Sequence, residues 1–256
     1  MPPRLRLTRR DALIGGLTAA GGMLLTGCAT DLPPTYGHLL RMGDNLTYVA
    51  HRALLPGQAL AREYSRGDIS SFPAIGTTNP ADTALPTHHP EFAPVYAELR
   101  RGDFADFRLD IAGSVARPGT YSLSDLKRMP ARTQITRHVC EEGWSAVAEW
   151  TGVPLGHVLQ AAGILPTARY VTFQTFDRFG DNIDLLDAFH PQTLLAYGMN
   201  GRDLPVPHGG PLRVRVETQI GYKSVKYVRR LLVHDAFDDL GANGPIRNGW
   251  SWYAGI

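Results

Sequence analysis

The chain has 256 residues, 26 Lys+Arg against 24 Asp+Glu, and a formal net charge of +2. That length suits one domain of mixed architecture. So small a charge excess excludes the strongly basic signature of a nucleic-acid-binding protein.

The amino end carries most of the basicity. Arg4, Arg6, Arg9 and Arg10 precede the apolar, Ala/Gly-rich stretch 12–25, which has the flanks of an export signal and is short for a membrane span. Arg9-Arg10, between Thr8 and Asp11, resembles a twin-arginine signal, a resemblance that implies export of an already folded protein. Setting 1–27 aside removes four arginines and one aspartate, which turns the net charge from +2 to −1. Leu24-Leu25-Thr26-Gly27-Cys28 resembles a bacterial lipoprotein processing site. It implies a periplasmic protein with a lipid anchor at Cys28 and membrane contact through it.

Residues 28–103 are rich in Pro, Gly and Asn and are expected to form an extended amino-terminal arm, with at most short helices around 54–64. From Phe104 the chain becomes regular. Phe107, Leu109 and Ile111 alternate with polar residues, predicting a strand over 106–111 closed by Arg117-Pro118-Gly119. A capping serine at Ser124 starts a short helix that Pro130 stops. Residues 133–139 are expected as a strand. Leu155, Val158, Leu159 and Ala162 have helical spacing between Pro154 and Gly163, predicting a helix over 154–162. Strands are predicted at 170–176, 193–199, 212–216 and 225–233, with a brief helix at 185–189 and a hairpin at Asn200-Gly201. From Phe237 onward an irregular tail is expected. The fold class is α+β, with a β-rich mixed core and short helices.

With Cys28 set aside, Cys140 is the one remaining cysteine. A lone thiol in an exported protein is buried and inert, reactive, or bound to a metal. Arg137 and His138 beside it favour the thiolate. No second cysteine and no His-Glu-x-x-His pattern supports a conventional zinc site. A thiol hydrolase would need a positioned histidine; His138, His157, His190, His208 and His234 are candidates that sequence does not place. No P-loop and no Cys-x-x-Cys-His haem attachment motif is present. A second stretch gathers cations, a hydroxyl and turn glycines: His208-Gly209-Gly210-Pro211-Leu212-Arg213, then Gly221-Tyr222-Lys223-Ser224-Val225-Lys226. Glycines admit close backbone approach, and Arg and Lys recognise anionic groups such as phosphate.

Together Arg137–Ser145, Leu195-Ala196-Tyr197-Gly198-Met199-Asn200-Gly201 and these two runs resemble the molybdopterin-binding domain of the sulfite oxidase superfamily. The similarity is nearest to its bacterial periplasmic branch, which includes the catalytic subunit of the methionine sulfoxide reductase system. The resemblance covers about 104–233, within a domain expected over 104–256. It implies a sulfite-oxidase-type fold and a molybdenum–molybdopterin cofactor with one pterin per metal. In that likeness Cys140 binds the molybdenum. Thr175 contacts the cofactor, His208 falls where relatives carry Asn or His, and Arg213 faces the pterin phosphate. Ser224, Val225 and Lys226 wrap the same end. Arg137 and Tyr222 are the candidate pocket groups for a substrate oxygen. The sequence departs from the pattern at Val139-Cys140-Glu141-Glu142, where relatives have Asp-Cys-Val-Glu, and at 72–76, where a polar Arg and Asn are absent.

The resulting expectation is an exported oxidoreductase that moves an oxygen atom to or from a small substrate, by sulfoxide reduction or sulfite-type oxidation. Electrons would pass through a separate membrane haem b protein or cytochrome c. The rival readings are a metal-free binding or structural lipoprotein on the same fold, and a thiol hydrolase.

Overall fold

The computed structural model describes residues 42–55, 59–71, 79–238, 240, 244 and 249–256. The export signal 1–27, Cys28 and the run 72–76 lie outside the described residues. Among the described residues two α-helices precede the sheets, α1 (Met42–Leu54) and α2 (Phe92–Arg101). These two helices, of 13 and 10 residues, fall within 28–103 but outside most of the 54–64 stretch where short helices are expected. Helix α2 also presents Ala93 and Tyr96 inward, and Tyr96 joins the main core fully buried. The core therefore reaches back before Phe104.

One sheet has the order β2-β1-β10-β5-β6, formed by β1 (Arg108–Gly113), β2 (Gly119–Ser122), β5 (Tyr170–Thr175), β6 (Asp181–Asp184) and β10 (Val228–His234). Its β1–β10 pair is parallel, with Ile111 opposite Leu231. Leu109, Ile111, Phe173, Leu231 and Val233 all enter the main core, as the period-2 pattern requires. The second sheet has the order β3 (Arg132–Val139), β4 (Ser145–Pro154), β7 (Leu194–Met199) and β8 (Arg202–Asp203), with a crossover between β4 and β7 and with β9 (Arg213–Arg215) added to β7. Strand β4, unexpected from the sequence, pairs with β3 through eight residues and with β7 across a bulge at Thr151/Gly152.

Short helices link these strands. The helix after β2, α3 (Leu123–Arg128), is capped by Ser122 rather than Ser124. The Ser122 hydroxyl accepts from the Asp125 amide, and the Asp125 carboxylate accepts from the Ser122 amide, a reciprocal capping box. In α4 (Leu155–Ala162) the residues Leu155, Val158, Leu159 and Ala162 are all buried, and Gly163 ends the helix with φ +69°. Each large side chain so buried contributes about 1.5–3 kcal/mol. Helix α5 (Leu185–Ala188) follows β6, capped by Asp184. Among the described residues no helix is long and apolar enough to cross a membrane.

Candidate active site

Cys140 stands on the turn that joins β3 to β4. Its amide donates to the Trp144 carbonyl (2.9 Å) and its carbonyl accepts from the Gly143 amide (3.2 Å), with Gly143 at φ +87°. Alternation along β3 buries Gln134 and Thr136 and leaves Arg137 exposed, so His138 lies on the inner face and Arg137 on the outer. The Arg137 guanidinium stacks over the Tyr64 ring (5.2 Å). The structure therefore does not bring Arg137 to the inner face of β3; His138 takes that position.

His138 is the hinge of the site. Arg215 donates from Nη1 to His138 Nδ1 (2.5 Å), and the imidazole packs against the Trp144 ring at 5.6 Å between centroids. Burial, then Arg215, Arg213, Lys226 and His208, drive the His138 pKa well below its ordinary value. The ring is thus neutral, as its acceptor role at Nδ1 requires. Gly221 approaches so closely that a β-carbon there would lie 2.7 Å from His138 Nε2 and 2.9 Å from the Val139 carbonyl. Only glycine brings the 221–226 loop against the end of β3.

Strand β9 supplies two buried guanidiniums. Arg213 donates to the His208 carbonyl (2.9 Å) and the Ser224 carbonyl (2.5 Å), while Arg215 pairs with Glu217 (2.8 Å). Both lie over the Trp150 ring, at 5.0 and 4.5 Å. Burial and the neighbouring Arg215 push the Arg213 pKa down to about 9. Its Nε is buried without a hydrogen-bond partner. Lys226 donates to the Pro207 carbonyl (2.9 Å). Burial and Arg213 bring its pKa down to about 8, opposed by Asp177 and Cys140. His208 is lowered by burial, Arg213 and Lys226.

The remaining expected residues sit around this cluster. Thr175 ends β5 and donates to Asp177 Oδ1 (2.7 Å), which orients the carboxylate that acts on Lys226. Ser224 accepts from the Val216 amide through its hydroxyl (3.1 Å), and Val225 accepts the Val214 amide (3.0 Å), so this segment fixes β9 from behind. Tyr222 donates its hydroxyl to the Ser251 carbonyl (2.6 Å) and packs on Trp250 at 5.3 Å.

The expected thiolate is corrected. The Cys140 thiol donates toward Glu141 Oε2 (3.4 Å) and Glu142 Oε2 (3.8 Å), and burial with these carboxylates raises its pKa to about 11. A neutral thiol with carboxylate partners is a poor nucleophile, which weighs against the hydrolase. Among the described residues no group of three or more His, Cys, Asp or Glu gathers to cage a metal. The donor set suits a cofactor that carries its own ligands: one soft sulfur for a transition metal, and a buried basic recess for an anionic tail. The orphaned Arg213 Nε points the same way, since a buried guanidinium N–H without an acceptor is costly. The residues present fit a molybdenum–pterin group.

These features suit a domain that takes a cofactor carrying most of its own metal ligands and an anionic end. The model of the oxidoreductase molybdopterin-binding domain matches residues 96–239. A provisionally named protein-methionine-sulfoxide reductase subunit, YedZ1, of Azospira oryzae is 34% identical over 259 residues, covering 100% of this chain and 88% of that one. The protein-methionine-sulfoxide reductase catalytic subunit MsrP of Xanthomonas campestris pv. campestris is 40% identical over 136 residues, 46% of this chain and 42% of its own. Among solved structures, the sulfane dehydrogenase SoxCD from Paracoccus pantotrophus aligns with TM-score 0.49 and 21% identity, covering 83% of this chain and 59% of that one. The chain belongs to the molybdopterin-binding oxidoreductase family of the sulfite oxidase superfamily.

Sequence reasoning named His138 beside Cys140 but not its bond to Arg215, and it missed Arg215 with Glu217, and Asp177. A signal existed for Arg215: in Arg213-Val214-Arg215 the two arginines are two apart on a strand and share a face.

Proposed function

We propose that the chain is an exported molybdenum–molybdopterin enzyme that reduces a small sulfoxide substrate by oxygen-atom transfer. The observation that carries this reading is the placement of a single thiol, Cys140, beside a recess with two buried guanidiniums, Arg213 and Arg215, and the half-buried Lys226, whose charge Cys140 acts on. When bound, the cofactor supplies two-electron redox chemistry and the site of oxygen exchange.

The protein's part is to hold, orient and bias. Cys140 is the metal ligand. Arg213 and Lys226 neutralise the phosphate end, where His208 as a neutral ring can offer only a hydrogen bond, Ser224 and Val225 shape the loop against it, and Thr175 orients Asp177 at its edge. Glu141 and Glu142 lie 3.4 and 3.8 Å from the Cys140 sulfur and place negative charge at the metal side. An anionic substrate such as sulfite is repelled there, whereas a neutral sulfoxide is not. Tyr222, with its hydroxyl on Ser251, acts first as a support of the loop.

Electrons come from a separate membrane haem b protein or cytochrome c. The twin-arginine-like signal and Cys28 suit export of the loaded protein to the periplasm and retention at a membrane.

Molybdenum per chain, measured by mass spectrometry, and sulfoxide-dependent oxidation of a reduced viologen dye test the reading. Near-stoichiometric metal with sulfoxide turnover, both lost or much reduced in Cys140→Ser, is the expected result. Sulfite turnover without sulfoxide turnover would overturn the direction. Metal-free wild type from cells that load other molybdenum enzymes would overturn the cofactor and leave a binding lipoprotein.

A further inference from the structure

The run from Thr218 to Lys223, which leads into Ser224–Lys226, is held by the segment 251–256. The Ile220 amide donates to the Ala254 carbonyl (2.8 Å), and the Ile256 amide to the Thr218 carbonyl (3.0 Å). Gln219 bridges Gly255 as a β-pair and accepts the Ala254 amide on its side chain (3.0 Å). Tyr222 bonds the Ser251 carbonyl (2.6 Å). At the centre is Lys223, 0% exposed, which donates from Nζ to Asp181 Oδ1 (2.6 Å), the Asn182 carbonyl (2.7 Å) and the Trp252 carbonyl (2.7 Å).

The segment is gripped in turn by α1. Ser251 donates to Asp44 (2.8 Å), the Trp252 indole donates to Asn45 (3.3 Å), and His51 lies within hydrogen-bond distance of the Tyr253 hydroxyl (3.2 Å). Tyr48 packs on both Trp252 and Tyr253 at 5.0 and 5.1 Å. None of these groups belongs to the cluster around Cys140.

We propose that 251–256 is a strap that sets the position of the cofactor loop, and that Lys223 is the positioning residue through which it acts. Lys223 adjoins Ser224, whose carbonyl accepts from Arg213 and whose hydroxyl holds the Val216 amide. It also bonds to both β6 and the strap from its place in the loop. A burial this complete fixes one geometry for the ammonium, because any departure leaves Asp181 buried beside an unbonded cation. Strap, loop and anion recess therefore share one conformational equilibrium. By linkage, a ligand that orders the recess must also order the strap. The inference rests on the cofactor reading of Arg213 and 224–226.

Amide hydrogen exchange on the unaltered full chain tests it, comparing molybdenum-loaded protein with protein made without molybdate. About tenfold slower exchange at the Ile220, Ala254 and Ile256 amides in the loaded form is expected. Equal rates in the two forms would overturn the strap. A second arm uses Lys223→Met/Asp181→Asn, which removes the buried cation and its counter-charge together. Preparations that melt cooperatively should hold at least fivefold less molybdenum than wild type, and wild-type metal content in them would also overturn it. If the wild type itself binds no molybdenum, the cofactor reading fails and the strap proposal fails with it.

Discussion

Lys226 sits between groups that pull its proton in opposite directions. Burial and Arg213 favour the neutral amine, while Asp177 and Cys140 favour the ammonium; the first pair wins and the pKa falls to about 8. A lysine depressed in the folded state costs stability wherever both states are protonated, below about pH 8. Between there and its ordinary value near 10.5, the folded protein releases the proton first, so stability recovers as pH rises. Lys226→Met has no such dependence. In cofactor-free protein the variant is therefore expected to melt above wild type at pH 7, with the gap closing by about pH 10.5. Melting curves at pH 7, 8.5 and 10 check this, and a gap that widens with pH would contradict the sign. Added inorganic phosphate should narrow the gap at pH 7, because it gives the charged lysine and Arg213 an anion to hold.

At the scale of the element, β4 shows how the second sheet is drawn together. A β-carbon on Gly152 would lie 2.3 Å from the Leu195 carbonyl oxygen and 2.7 Å from Ala196 Cα, both backbone atoms that no rotamer change relieves. Gly152→Ala is expected to cost about 3 kcal/mol by overpacking, read as a lower urea midpoint with an unchanged slope. Ser122→Ala removes one half of the α3 capping box and should cost about 1 kcal/mol. Strands with one wet face, such as β1, were legible because Leu109 and Ile111 alternate with polar residues. Strand β4 was not, since Val147, Ala148, Glu149 and Trp150 are all buried in succession, which erases the period-2 signal. The inner face of β3 misleads in another way: its buried residues are Gln134 and Thr136, because Gln134 bonds the Gln192 carbonyl (2.9 Å) and Glu217 (3.0 Å). A polar interior beside an anion recess hides which face of β3 points inward, and with it that His138 rather than Arg137 faces the cluster. Cys140, Arg213 and Lys226 were singled out from the sequence because thiol, guanidinium and ammonium announce their chemistry without the fold. The folded arrangement was needed to move Arg137 outward.

Across the whole molecule, one ion cluster ties the region before the sheets to the rest. Arg52 on α1 bonds Asp184 (3.0 Å) and Asp187 (2.8 Å), and its guanidinium lies over Tyr48 and Tyr253 at 5.1 and 5.2 Å. Asp187 also accepts from Thr218 (2.9 Å) and Gln219 (2.6 Å), so the same carboxylate reaches the strap's neighbours. Arg52→Met leaves two buried acids without their cation, a change expected to cost about 3 kcal/mol. The loss should depend on pH in a defined direction. Burial and Asp187 already raise the Asp184 pKa, and Arg52 opposes them. Without Arg52 the folded-state value climbs further, so the folded variant keeps a proton that the unfolded chain releases above about pH 4. Its stability therefore falls more steeply with rising pH than that of wild type. Denaturation midpoints are expected to show a small deficit near pH 4.5 and the full deficit at pH 7. Asp184→Asn in the same background should recover part of the loss at pH 7 and little at pH 4.5, because the amide replaces a charge that is already protonated in acid. A deficit independent of pH would mean that Arg52 docks α1 through its stacking on Tyr48 and Tyr253 rather than through its charge.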